Sequence, residues 1–129
     1  MKVLLTGSSG QLGKCIIQLK PEKVELIQTK RNDLDLSDFN SCKRIINKYQ
    51  PDWVLNCGAY TNVDKAEKDK DLVLAVNSDA PKAFAEELKN TGGKILQIST
   101  DFVFNGDQRI PYKPYQERCP INIYGISKA

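Results

Sequence analysis

At 129 residues the chain can bury one hydrophobic core but is short for two ordinary domains. Its 40% hydrophobic and 27% charged content is that of a globular protein, and nineteen basic residues interleaved with sixteen acidic ones leave a net charge of +3, with no basic arm to suggest nucleic-acid binding. The absence of histidine excludes a Ser-His-Asp triad and any histidine-containing zinc site, so acid–base chemistry falls to Asp, Glu, Lys, Cys or Tyr.

Lys2–Thr6 (KVLLT) reads as a buried strand. Its apolar run turns at once into glycines, too short for a signal peptide or a membrane span, so a cytoplasmic protein that does not engage a membrane is expected. Gln11–Lys20 places Leu12, Cys15, Ile16 and Leu19 on one helical stripe, and Pro21 stops it. Val24–Gln28 is a second strand, and Asp33–Leu36 reads as a short third. Ser37 is the expected N-cap of the next helix, with Asp38 in its first turn. Phe39, Cys42, Ile46 and Tyr49 form the apolar face of that helix, and Pro51 ends it.

Trp53–Cys57 (WVLNC) is a strand. Val63–Val76 reads as a helix with a charged outer side. Asp79–Asn90 reads as another, with Ala80, Ala83, Phe84 and Leu88 facing inward and Gly92-Gly93 ending it. Lys94–Ser99 is the last clear strand, Thr100–Pro120 a loop, and Ile123–Ala129 the start of a helix. Cys15, Cys42, Cys57 and Cys119 have no C-x-x-C spacing; they read as reduced thiols, and no metal site is expected. Repeated β–α–β units predict an α/β fold: a doubly wound parallel sheet of the Rossmann type, with about five strands in the order 3-2-1-4-5 and helices on both faces.

The first strand runs into Gly7-Ser8-Ser9-Gly10-Gln11-Leu12-Gly13, a G-x-x-G-x-x-G loop opening a helix. Glycine is needed where the turn takes unusual dihedrals and a diphosphate must approach the backbone. The amides at the helix start then point at the anion. After the second strand, where an acid would hold ribose hydroxyls, stand Lys30 and Arg31. Two bases there suit the 2′-phosphate of NADPH, with NADH as the alternative cofactor. The fifth strand of the series ends in Ser99-Thr100-Asp101-Phe102-Val103, at the sheet edge where ligands bind. Tyr124 and Lys128 then form a Y-x-x-x-K pair on one helix face. A lysine cation beside a phenol favours the tyrosinate, which makes Tyr124 usable in proton transfer. The Thr100 hydroxyl can bond a substrate oxygen.

Thr6–Gly13 (TGSSGQLG), Asn56–Glu67 (NCGAYTNVDKAE), Val76-Asn77, Ser99–Gly106 (STDFVFNG), Pro111–Glu117 and Pro120–Lys128 (PINIYGISK) together resemble the dTDP-4-dehydrorhamnose reductase family of extended short-chain dehydrogenase/reductases. Ala59–Glu67 is the most diagnostic stretch. The resemblance implies NADPH-dependent reduction of the C4 ketone of a dTDP-linked deoxysugar, dTDP-4-dehydro-L-rhamnose, with dTDP-L-rhamnose as the product. It implies that Gly7, Gly10, Gln11, Leu12 and Gly13 hold the diphosphate, that Asp35 and Leu36 lie near the adenine, and that Gly58, Ala59 and Tyr60 line the ribose and nicotinamide side. Tyr124 would protonate the alkoxide, Lys128 would tune it and bind ribose, and Thr100 would orient the ketone. Val63, Asp101, Phe102 and Val103 would border the sugar.

Phe102 stands where the family has tyrosine, and Cys57-Gly58 replaces the usual alanines. Relatives are also much longer, so residues 1–129 are expected to form the NAD(P)-binding domain alone, without the C-terminal substrate domain. The expected partner is a dTDP-sugar, with a homodimer as an open expectation. Two other readings stand beside this one: a non-catalytic NADP-binding regulatory subunit resembling that of methionine adenosyltransferase, and another sugar-nucleotide reductase or epimerase.

Overall fold

The computed structural model describes residues 1–129. It contains strands β1 (Lys2–Thr6), β2 (Glu25–Gln28), β3 (Trp53–Asn56) and β4 (Lys94–Gln97). Helices are α1 (Gln11–Leu19), α2 (Phe39–Tyr49), α3 (Val63–Ala66), α4 (Lys70–Leu74), α5 (Ala80–Thr91) and α6 (Ile123–Lys128), with a 3₁₀ turn at Asp101–Val103. The four strands form one parallel sheet in the order β2-β1-β3-β4. The crossovers from β1 to β2 and from β2 to β3 run in opposite directions across it. Right-handed connections therefore place α1 on one face and α2 on the other.

The sheet has four strands rather than the expected five. Asp33–Leu36 forms turns because its aspartates bond to nearby backbone: Asp33 accepts from the Lys30 amide at 2.9 Å and Asp35 from the Ser37 amide at 2.9 Å. With that segment removed, the remaining strands keep the predicted order. Ser37 is not the N-cap of α2. Asp38 is, accepting from the Ser41 amide at 3.0 Å, while Ser37 Oγ donates to Asp35.

The core lies on the α2 and α5 side. Ile27, Leu4, Val54 and Ile95 stand in register across the sheet. They pack with Leu34, Cys42, Ile46, Ala80, Ala83, Phe84 and Leu88. Burying the Cys42 thiol there pushes its pKa up to about 12. The opposite face is thinly covered, since only Gly13 of α1 is buried and Leu12 and Leu19 remain exposed.

The helices expected at Val63–Val76 and Asp79–Asn90 divide differently. The break falls after Glu67, and α4 runs into α5 through a π-turn at Ala75–Asp79. Pro81 accounts for the turn. It has no N–H for the carbonyl four residues back, and its ring crowds that carbonyl. The backbone widens instead, and Ala80 N–H bonds to the Ala75 carbonyl. No helix is long and apolar enough to cross a membrane.

Candidate active site

The candidate residues gather beyond the carboxyl ends of the strands. Gly7 follows β1, Lys30 and Arg31 follow β2, Gly58–Tyr60 follow β3 and Thr100 follows β4. Gly7 has φ +63°, a left-handed conformation that side chains resist. A Cβ there would also lie 2.7 Å from the Gly58 nitrogen. Gly13 brings α1 directly onto the loop, since a Cβ on it would come within 2.8 Å of Ser8 Cα. Gly10 caps α1 without a side-chain bond, and the first turn holds no acid. This nine-residue helix therefore presents its positive end uncapped, and a diphosphate fits that chemistry.

Leu36 packs on Gly58, where a Cβ would lie 2.5 Å from Leu36 Cδ1. Asp35 is committed to its own turn: hydrogen bonds from the Ser37 hydroxyl and amide hold its carboxyl below the usual range. Lys30 and Arg31 are exposed and form no ion pair.

A row of polar side chains joins the last residues of three neighbouring strands. Thr6 Oγ1 accepts the Gly58 amide at 3.0 Å and donates to Asn56 Oδ1 at 2.5 Å. Asn56 Nδ2 donates to Gln97 Oε1 at 2.6 Å, and Gln97 Nε2 to the Ile98 carbonyl at 2.9 Å. Lys128 Nζ donates to that same carbonyl at 2.6 Å. Desolvation of the half-buried Lys128 lowers its pKa from the ordinary 10.5.

Helix α6 is fitted closely to the 3₁₀ turn. A Cβ on Gly125 would strike the Phe102 carbonyl. The Phe102 and Tyr124 rings meet edge to face, with centroids 5.6 Å apart. Ser127 Oγ donates to the Tyr124 carbonyl at 2.7 Å and accepts from Asn77 Nδ2 at 3.0 Å. Asn77, in the π-turn, also accepts the Tyr60 amide at 2.9 Å and donates to the Tyr60 carbonyl at 3.1 Å. The Tyr60 hydroxyl itself donates to Asp69 at 2.8 Å; burial, then that carboxylate, raises the Tyr60 pKa.

Thr100 caps the 3₁₀ turn: its hydroxyl accepts the Phe102 amide and donates to Asp101 Oδ1, both at 3.2 Å. Thr100 and the buried Val103 line an open cleft of about 730 Å³, walled on its other side by Pro114–Arg118. Asp101 and Phe102 are exposed, while Ala59 and Val63 lie beside the Tyr60 loop, exposed and half-buried respectively.

The RmlD substrate binding domain family matches residues 1–129. The chain is 37% identical over 128 residues to the dTDP-4-dehydrorhamnose reductase of Burkholderia thailandensis, covering 99% of this chain and 43% of that protein. A crystal structure of a dTDP-4-dehydrorhamnose reductase from Clostridium acetobutylicum superposes with a TM-score of 0.94 at 41% identity, covering 99% of this chain and 46% of that one. The Bacillus anthracis dTDP-4-dehydrorhamnose reductase, solved in complex with NADP, gives 0.91 at 36% identity, over 98% of this chain and 46% of that one. The chain belongs to the RmlD substrate binding domain family.

This RmlD-family chain thus spans less than half the length of these relatives. Several of its site residues were not assigned roles from sequence. Thr6, Asn56 and Gln97 carry a signal, because each closes the apolar run of its strand with a hydrogen-bonding side chain and the three stand in register. Asn77 gives a fainter one, as a polar residue 5% exposed within a helical stretch.

Proposed function

We propose that residues 1–129 form the NAD(P)-binding and proton-donating unit of an NADPH-dependent reductase of the extended short-chain type, acting on the C4 ketone of dTDP-4-dehydro-L-rhamnose. The observation that carries this reading is the docking of α6. Lys128 is bonded to the end of β4 and Ser127, through Asn77, to Tyr60, on the same sheet rim as the uncapped start of α1. The Bacillus anthracis relative with bound NADP supports the choice of cofactor.

In this reading Gly7, Gly10, Gln11, Leu12 and Gly13 hold the diphosphate. Asp35 and Leu36 flank the adenine, Leu36 by its apolar surface. Lys30 and Arg31 meet the 2′-phosphate, favouring NADPH over NADH. Gly58, Ala59 and Tyr60 line the ribose and nicotinamide side. When bound, NADPH supplies the hydride that reduces C4. Tyr124 gives its phenolic proton to the developing alkoxide, closing the product alcohol. The Lys128 ammonium stabilises the phenolate left behind and bonds ribose. Thr100 orients the ketone oxygen, and Val63, Asp101, Phe102 and Val103 border the sugar. Phe102 also walls the Tyr124 ring.

The test uses the complete polypeptide that carries this sequence. Tyr124→Phe is expected to lower kcat by about a hundredfold or more with little change in NADPH affinity, the size of a lost general acid. Unchanged turnover would overturn the assignment. The unaltered protein should show a lower KM for NADPH than for NADH, and Lys30→Glu with Arg31→Glu should reverse that order. An NADH preference in the unaltered protein would remove the role given to the two bases.

A further inference from the structure

Glu67 has no part in the roles above, yet its carboxylate reaches the helix that carries Tyr124. Glu67 Oε1 accepts the Ile123 amide at 2.9 Å, from a position far away in the chain. Ile123 is the first residue of α6, and the Asn122 side chain bonds only the Gly125 amide there. The opening amides of a helix have no partner within it. A carboxylate at that end also suits the helix dipole.

The acceptor sits on a firm base. Glu67 follows Ala66, which is 0% exposed, and ends α3, whose first turn is capped by Asn62 accepting from the Lys65 amide at 3.0 Å. The far end of α6 is fastened separately, by Asn77 to Ser127 and by Lys128 to the Ile98 carbonyl. Without the Glu67 bond the first amide of the helix would lose its partner, and the amino end would keep only its packing on the 3₁₀ turn, with Tyr124 next to the loosened end.

We propose that Glu67 is a positioning residue, whose carboxylate fixes the amino end of α6 and so aims the Tyr124 hydroxyl at the reacting oxygen. The inference rests on the reductase reading above. Glu67 touches neither the glycine loop nor Lys30 and Arg31, so its loss should act on turnover and leave cofactor binding alone.

The experiment compares Glu67→Ala, Glu67→Asp and Glu67→Gln with Tyr124→Phe in the complete polypeptide. It follows kcat, KM for NADPH, and amide hydrogen exchange along Ile123–Lys128. Misplacing a reacting group by about an ångström costs up to roughly a hundredfold in rate. Glu67→Ala is therefore expected to lower kcat by about ten- to a hundredfold, to leave KM for NADPH within about twofold, and to speed exchange at Ile123 and its neighbours. Glu67→Asp, one methylene shorter, should behave like the alanine variant and replaces it if that variant fails to fold. Glu67→Gln keeps an acceptor oxygen and should restore both readouts. Wild-type kcat in Glu67→Ala or Glu67→Asp beside an inactive Tyr124→Phe would overturn the positioning role. So would a glutamine variant as impaired as the alanine one. Turnover persisting in Tyr124→Phe would instead strike at the reductase reading, leaving the exchange data to judge the Glu67 contact by itself.

Discussion

Inside the glycine loop, the Ser8 hydroxyl is buried with no hydrogen-bond partner. An unpaired buried hydroxyl costs about 1–3 kcal/mol. Being out of reach of water, it is also out of reach of a bound phosphate. Ser8→Ala is therefore expected to stabilise the fold by roughly 1 kcal/mol, raising the urea midpoint, with NADPH affinity unchanged by fluorescence titration. Weaker NADPH binding would show that the hydroxyl turns toward the diphosphate. Lys128 has the opposite character, a half-buried charge with a hydrogen-bond partner. Burial lowers its pKa from 10.5, so between that lowered value and 10.5 the unfolded chain binds the proton more readily than the folded one. Stability contributed by this group therefore rises with pH through that window and is missing below it. The raised pKa of Tyr60 works against this slope at high pH, so the readout is a difference between proteins. Lys128→Met should flatten the rise of unfolding free energy with pH, measured by urea titration at several pH values below 10.5. An identical slope in both proteins would mean the ammonium is solvated.

Helix α2 ends at Gln50 with φ +43°, the one non-glycine residue in the left-handed region. That conformation costs an ordinary residue about 1–2 kcal/mol, whereas glycine takes it freely but loses more entropy on folding. Gln50→Gly is expected to gain about 0.5–1 kcal/mol net, read as a higher melting temperature with kcat unaffected. No gain would mean that the Gln50 side chain compensates for its own strain. The sequence around α2 and α5 was legible because their apolar periodicity matches the sheet face they cover: Cys42, Ile46, Ala80, Ala83, Phe84 and Leu88 are all buried as expected. Glycine did the same service at Gly7 and Gly92, where φ is positive. What periodicity could not show was the π-turn, because Pro81 reads equally well as a helix start. Asp33–Leu36 misled for a related reason. Its alternation of polar and apolar residues is that of a strand, but Asp33 and Asp35 bond locally to backbone. The candidate site was legible as motifs, Gly7–Gly13 and Tyr124–Lys128. The bonds that assemble it, from Glu67 to Ile123 and from Asn77 to Tyr60 and Ser127, span long separations and leave no periodic trace.

Across the whole molecule the two faces of the sheet are unequal. The α2 and α5 face is sealed. On the other, Leu5, Leu55 and Leu96 stand in register, and cover thins along that row: Leu5 is 0% exposed, Leu55 half-buried and Leu96 50% exposed. Ile98, on the same side as Leu96 by the alternation of a strand, is 39% exposed. Parallel sheets are ordinarily covered on both faces, and β4 is also an unpaired edge, a template for another chain. Lys94, at the start of β4, holds its ammonium 5.6 Å from the Trp53 ring, and the Lys128 ammonium is bonded to the Ile98 carbonyl. Neither lysine covers the Leu96 and Ile98 side chains, which stay 50% and 39% exposed. The 129-residue chain on its own is therefore expected to self-associate in a concentration-dependent way and to bind a hydrophobic dye. Leu96→Lys with Ile98→Lys should suppress both while leaving the far-ultraviolet circular dichroism intact, because neither side chain belongs to the buried core. Light scattering coupled to size exclusion checks this directly. A monomer at high concentration, with no dye binding, would mean that α1 or the Thr100–Pro120 loop closes over the row in solution.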